Sequence, residues 1–413
     1  MRQSIIFILY LLCTFTARSQ SVLTPEQAGS IYYAYPAPPS TYTPAPTGYE
    51  PFYISHYGRH GSRWMTADER YTEVICVFDS LYQCSELTPL GVDVRERLHK
   101  VWEDARGCSG SITPLGERQH REIAERMYRN FPQVFRGGAF IDARSSTSLR
   151  CAMSMSYFTE RLKELNPALQ VNRRAYHRYM DYIAYTSPEG EKFASEKAPW
   201  RRGFREFEKK NVRPERLMAS LFVKPEAITD QDAMMRSLYW IAADMQNVEL
   251  DLSFYDIFEY EELVGVWKTV NARMYVCNAA APLNGGLMPR CAVPLLRNIL
   301  ESADAAIEKG TPAADLRFGH DTHLIRLLAL MQIEGCSNQE VDMEKFHLAW
   351  QDYRVSPMGA NLQLIFYRDK KNDILVKFLL NECEVALPLK SKMVPYYSWK
   401  EVETFLAEVI GKE

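Results

Sequence analysis

The sequence predicts an α/β fold: a three-layer α/β/α sandwich with a mostly parallel central sheet and an inserted α-helical cap domain. Three observations carry this. Short aromatic or β-branched runs alternate with helical patterns over residues 52–187. That alternation gives way to charged amphipathic helical patterns over 188–275, and it resumes over 276–413.

In chain order, Phe52 to Tyr57 is a buried strand ended by Gly58. Thr113 is an N-cap and Pro114 a first helical residue for a helix reaching about Asn130, just before Pro132. Phe140 to Ala143 is a second strand running into Arg144, and a helix follows over about 148–165. A strand signal returns at Met274, Tyr275 and Val276, and a helix covers about 293–308. Leu316 to Phe318 is a short strand that ends at Gly319-His320-Asp321, with an apolar helix from Leu324 to Met331 behind it. Leu362 to Tyr367 and Ile374 to Leu380 flank a polar turn and form an antiparallel hairpin. Ser398 and Glu401 form a capping box that opens a C-terminal helix. In such sheets ligands bind beyond the carboxyl ends of the strands. The segments leaving strands here are residues 58–63, Arg144 and residues 319–321.

Composition narrows the class. The chain has 413 residues, 46% apolar and 24% charged, which excludes wholesale disorder and fibrous character. Its net charge is −3, so no global signal for nucleic acid exists and any basic site is local. Arg2, an apolar run from Ile5 to Phe15 and Ala17-Arg18-Ser19 make residues 1–19 a secretory signal peptide. The run is shorter than the roughly 20 residues a membrane span needs, so an exported chain, periplasmic or secreted and with no membrane span, is expected. Residues 20–51 are rich in Pro and Tyr and read as an extended surface arm. Eight cysteines remain after the signal, an even number in an exported chain, so structural disulfides are expected with unreadable connectivity.

The chemistry is carried by arginine and histidine. Arg59-His60-Gly61-Ser62-Arg63 places two guanidinium groups around one imidazole immediately after a strand. Guanidinium forks match tetrahedral oxyanions. Like charge lowers the pKa of His60, and a neutral imidazole can attack phosphorus. Gly61 lets the backbone approach an anion. At Gly319-His320-Asp321-Thr322, His320 can hydrogen-bond a transferring phosphoryl group and Asp321 can protonate a leaving alkoxide. The His320 and His323 spacing lacks the acidic partner of a zinc-protease motif, so no metal is expected there.

Together these segments resemble the histidine acid phosphatases, the larger exported branch of the histidine phosphatase superfamily. The carriers are Arg59-His60-Gly61-Ser62-Arg63, Thr113-Pro114-Leu115-Gly116, Arg144-Ser145-Ser146 with Arg150-Cys151, and His320-Asp321-Thr322, in that order over about residues 50–390. Residues 200–204 and 254–275 look most like the multiple inositol polyphosphate phosphatases and phytases. The multiple inositol polyphosphate phosphatases usually carry His-Ala-Glu where this chain has His-Asp-Thr, as in ordinary acid phosphatases and many phytases, and Trp64 stands near where much of the family has proline. The resemblance implies that His60 becomes a phosphohistidine, that Arg59, Arg63, Arg144 and His320 bind the phosphoryl oxygens, and that Asp321 is the proton donor. It implies no cofactor and no metal, a small-molecule phosphate monoester as substrate, and an exported phosphomonoesterase acting on inositol polyphosphates such as phytate. A broad-specificity acid phosphatase or sugar-phosphatase is the alternative.

Residues 197–216 hold eight basic and three acidic residues. Arg201, Arg202 and Arg205 are the candidate cap contacts to a polyanion, while Trp200, Phe204 and Phe207 at helical spacing are expected to face the core.

Overall fold

The computed structural model describes residues 23–36, 38 and 41–411; the signal segment at 1–19 lies outside the described residues. Eight strands form one sheet: β1 (Glu50–Arg59), β2 (Phe140–Ser145), β3 (Gln170–Arg174), β4 (Ala314–Gly319), β5 (Asn361–Arg368), β6 (Ile374–Leu380), β7 (Cys383–Val385) and β8 (Tyr396–Ser398). The order is β3-β2-β4-β1-β5-β6-β7, with β8 also on β6. The run β3-β2-β4-β1 is parallel throughout. β5 and β6 are the expected hairpin, pairing Leu362 with Leu380 and Arg368 with Ile374.

Both faces of the sheet are covered, so β1 and β4 are buried along most of their length, their polar residues Ser55, His56, Asp315 and Arg317 included. Ile54, Ile141, Ala143, Leu316 and Phe318 pack under the helices Pro114–Asn130 and Leu149–Leu165. Tyr53, Tyr57, Leu364 and Phe366 pack against Val293–Lys309, Asp321–Leu330 and Trp399–Gly411 on the other face. This is the expected three-layer sandwich. A second helical body shares its own core, in which Val74, Phe78 and Leu98 meet Leu217, Leu238, Val266 and Trp267. Helices Glu69–Gln83 and Pro89–Ala105 therefore join Glu215–Leu221, Gln231–Asp244 and Tyr260–Asn278.

Local signals held where the chain supplies its own partner. Thr113 Oγ1 accepts the amide of Gly116 at 3.2 Å and starts its helix as expected. Two expectations are corrected. Met274 to Val276 are not a strand but the end of the helix Tyr260–Asn278. That helix is buried on most of its circumference, so its apolar residues run together as they do in a sheet. The disulfides are not formed either: all eight described cysteines are free thiols. Cys151, Cys277, Cys291 and Cys336 are buried as small hydrophobes. Cys76 and Cys84 lie about 12 Å apart along one helix, too far for a bridge. The arm is also more than a surface strap. Residues Gln27–Tyr32 form a 3-10 turn in which Ala28, Ser30 and Tyr32 are buried. No described helix is long and apolar enough to cross a membrane.

Close backbone packing sets a stability test away from the site. A Cβ on Gly91 would stand 2.1 Å from the Leu221 carbonyl oxygen. Gly91→Ala is expected to lower unfolding free energy by about 1–3 kcal/mol in a denaturant titration, with catalysis per folded molecule unchanged.

Candidate active site

β1 and β4 lie side by side in parallel, with Arg59 opposite Gly319. That register brings the two motif turns together: the His60 amide donates to the Gly319 carbonyl at 3.1 Å. The His60 and His320 rings meet edge to face, centroids 5.8 Å apart. Gly319 is required because a Cβ there would sit 2.1 Å from the Tyr57 hydroxyl. Gly61 serves packing rather than anion approach. Its Cβ would lie 2.7 Å from the Gly116 carbonyl oxygen, and one on Gly116 would lie 2.1 Å from the Ser62 carbonyl oxygen. The two glycines clasp the His60 loop to the helix that Thr113 caps.

His60 is buried, and its Nδ1–H donates to the Gly61 carbonyl at 2.9 Å. A carbonyl only accepts, so the proton sits on Nδ1 and the Nε2 lone pair is free. Burial, then the charges of Arg59, Arg63 and Arg150, hold the pKa of His60 well below the usual histidine value. Both influences favour the neutral imidazole.

Arg59 is 0% exposed. Its Nη1 donates to the carbonyls of Ile31 and Ser356, both at 2.7 Å, and its Nη2 stands 3.2 Å from Asp321 Oδ2. Burial lowers its pKa to about 10, so it stays charged. Its Nε and Nη2 make no hydrogen bond and are the edge free for an oxyanion. Arg63 is held by the Tyr32 hydroxyl at 3.2 Å and the Trp64 carbonyl at 2.9 Å, with its guanidinium 4.8 Å from the Tyr32 ring centroid. Ser62 anchors the loop from below, taking a hydrogen bond from Gln119 at 2.9 Å and donating to Asn247 at 2.7 Å.

His320 caps the helix Asp321–Leu330, and its Nε2 lies 3.3 Å from Ser146 Oγ. Burial and then Arg150 lower its pKa to about 4. For Asp321, burial pushes the carboxyl up, but Arg59, His320 and the Thr322 amide hold it below its ordinary value. It is ionised in the resting site.

Arg144 is not brought to this site. Strand alternation puts it on the same face as Asp142, and the register sets Asp142 opposite Asp315. Its guanidinium pairs with Asp142 and, at 3.4 Å, with Asp315. The third cation is Arg150, in the first turn of the helix Leu149–Leu165. Its Nε has no partner, and its charge acts on both His60 and His320. The signal for it was available: an anion-binding arginine belongs at the helix start that follows a strand, not on the strand.

The basic cap stretch divides. Arg201 is buried, stacks 4.3 Å from the Trp200 centroid and donates to the Ala194 and Ser195 carbonyls. Arg202 and Arg205 stand exposed on the outer face of that helix, while Phe204 and Phe207 are buried as expected. A cavity of about 380 Å³ opens beside Thr322. Its lining includes Phe204, Trp240, Met274, Arg236, Arg273 and Arg326. Arg236 is paired with Glu208 at 2.7 Å. Among the described residues no group of three or more His, Cys, Asp or Glu is placed to hold a metal.

These placements make opposite forecasts for two arginines. Arg150→Ala is expected to cut kcat/KM on an aryl phosphate by about 100-fold or more, the loss of a charged donor to the transition state. Arg144→Ala should lower thermal stability by leaving Asp142 with only Arg174 and Asp315 with only the Tyr53 hydroxyl as side-chain partners, yet keep kcat/KM within about threefold for the folded fraction.

The fold has clear counterparts among solved structures. A multiple inositol polyphosphate phosphatase from Bifidobacterium longum, solved with inositol hexasulfate, superposes with a TM-score of 0.78 at 18% identity, covering 93% of this chain and 98% of that one. A phytase from D. castellii gives 0.70 at 15% identity, over 94% and 85%. A Hafnia alvei phytase bound to myo-inositol hexakis sulphate gives 0.52 at 12% identity, over 89% and 98%. No match to a curated protein sequence was found. The family model of the Histidine phosphatase superfamily (branch 2) matches residues 59–381. That span runs from Arg59 to the end of the β5–β6 hairpin, and the chain belongs to branch 2 of the histidine phosphatase superfamily.

Proposed function

We propose that this phosphatase hydrolyses inositol polyphosphates such as phytate through a phosphohistidine at His60. One observation carries the chemistry: a buried, neutral imidazole whose Nδ1 is tied to the Gly61 carbonyl, beside three arginines and a second histidine. The free Nε2 attacks phosphorus and the bond to the leaving oxygen breaks. Arg59, Arg63, Arg150 and His320 stabilise the charge on the phosphoryl oxygens. Asp321 gives its proton to the leaving oxygen, then takes one from the water that cleaves the N–P bond and returns neutral imidazole.

Asp321 begins ionised, so its proton arrives with substrate. A phosphate monoester loses its second proton near pH 6, so at acid pH it binds as a protonated monoanion. Phosphate on Arg59 also draws that cation away from Asp321 and raises the carboxyl pKa. Protonated donor therefore becomes scarcer as pH rises, and kcat/KM on phytate is expected to fall from pH 5 to pH 9. A flat profile would remove Asp321 from the donor role. Asp321→Asn should cost about 10²- to 10⁴-fold on an alkyl phosphate and much less on an aryl phosphate, whose leaving group needs little help.

The inositol polyphosphate reading rests on the likeness to enzymes solved with inositol hexasulfates and on the basic residues lining the cavity beside Thr322. One observation favours broad action on small esters instead. Most residues lining that cavity from the helical body are apolar, and Arg202 and Arg205 are not among them. Rates on phytate, glucose phosphate and an aryl phosphate, each with chelator present, decide between the two. Faster turnover of phytate than of the small esters supports the first, and phytate left intact while the small esters are cleaved supports the second. His60→Ala should abolish release from all three. We propose further that the chain is exported, on the strength of residues 1–19; the mature N-terminus should then fall near residue 20.

A further inference from the structure

We infer that Asp352 is a positioning residue for the phosphate-binding guanidinium of Arg59, acting through Ser30 and the two carbonyls that hold Nη1. It rests on Arg59 binding the phosphoryl group, not on the identity of the ester.

Both protons of Nη1 are used by carbonyls, one from Ile31 and one from Ser356, each at 2.7 Å. This fixes the guanidinium plane and leaves Nε and Nη2 turned toward the reaction. The two carbonyls come from segments more than 300 residues apart, so something must hold them in step. Asp352 touches both segments. Its Oδ2 accepts the Ser30 hydroxyl, and Ser30 immediately precedes Ile31. Its backbone carbonyl accepts the Ser356 amide at 2.8 Å.

Two further observations make this a clamp rather than incidental packing. Ser30 has φ +60° and ψ −135°, a left-handed conformation that a non-glycine residue keeps only when its surroundings impose it. The Ser30 side chain supplies such a constraint through Asp352. The carboxylate is 0% exposed, and among the described residues no cation pairs with it. Donors alone hold it: Ser30, the Trp267 indole N–H at 3.1 Å and the Tyr353 amide at 2.8 Å. Its own amide is held by Asn271 at 2.9 Å. Trp267 and Tyr353 share Oδ1 while Ser30 alone holds Oδ2, so the Oδ2–Ser30 hydrogen bond is the arm of the carboxylate that reaches the Ile31 segment.

The test uses the full-length enzyme with an aryl phosphate as substrate and inorganic phosphate as competitive inhibitor. Asp352→Ala, which removes both carboxylate oxygens, should weaken phosphate inhibition about tenfold and lower kcat/KM by about 10- to 100-fold, the scale of a misplaced charged hydrogen bond. Ser30→Gly separates positioning from folding. Glycine accepts the left-handed backbone without penalty, which offsets the lost hydroxyl donor, so the variant should stay folded and melt within a few degrees of wild type. It nevertheless loses the hydroxyl and should weaken phosphate inhibition about threefold or more. In an Arg59→Lys background, Ser30→Gly should have at most half that effect, because the group it positions is gone. If Asp352→Ala fails to fold, Ser30→Gly decides alone. Wild-type phosphate inhibition and kcat/KM in a folded Ser30→Gly enzyme would overturn the inference, as would an undiminished effect in the Arg59→Lys background. A wild-type enzyme inactive on every monoester would instead overturn the phosphatase reading itself.

Discussion

A guanidinium removed from water at the end of β1 governs the rest of this structure. Arg59 is fully buried, and a charge in that position is tolerated only with hydrogen bonds on its donors and an opposite charge nearby. The chain answers with carbonyls from Ile31 and Ser356 and with the carboxylate of Asp321. Those partners belong to the N-terminal turn, to the segment before β5 and to the helix after β4. Burying one arginine thus obliges three distant segments to meet at the carboxyl edge of the sheet. The same convergence pins the His60 loop, because the Arg59 amide donates to Ala360 and the Gly359 amide to His60.

The parts of this arrangement that were legible in the sequence are those whose cause is local. β1, β4 and the helix capped by Thr113 follow from apolar runs and a cap residue beside its own helix. Arg59, His60, Arg63, His320 and Asp321 follow from short motifs at strand ends, and parallel pairing of β1 with β4 brings them together. What failed depends on register. Arg144 and Arg150 are six residues apart and chemically identical, and only strand parity and the Asp142–Asp315 pairing separate an ion-paired arginine from an available one. The N-terminal segment failed for a related reason. Its Pro and Tyr content describes an extended chain, but Ala28 to Tyr32 are drawn inward by partners such as Tyr239, Asn247 and Arg59 that lie far along the chain.

The helical body shows how little a charge run says about a surface. Of the arginines at 201, 202 and 205, one is a buried structural cation on Trp200 and two face solvent. The basic residues that do reach the cavity beside Thr322, Arg236, Arg273 and Arg326, come from other helices. Helical periodicity explains this: Phe204 and Phe207 must face inward, so residues 202 and 205 face outward. Net charge over a window survives that sorting only as a property of the window, not of either face.

Two opposed influences set the protonation states in the site. Burial first, and then the arginines, keep His60 from accepting a proton, while Arg59 keeps Asp321 from holding one against the pull of burial. In the proposed reaction this is the reactive state of His60, since a protonated imidazole has no lone pair to offer phosphorus. For Asp321 it is the wrong state, since a donor must carry its proton when the leaving group departs. A phosphoryl group bound as proposed resolves the conflict because it is itself an anion. It takes up the positive charge of Arg59 and relieves the hold on Asp321, while the proposed transfer consumes the lone pair of His60. On that mechanism the resting site is a nucleophile in waiting, and the substrate's own charge completes the acid.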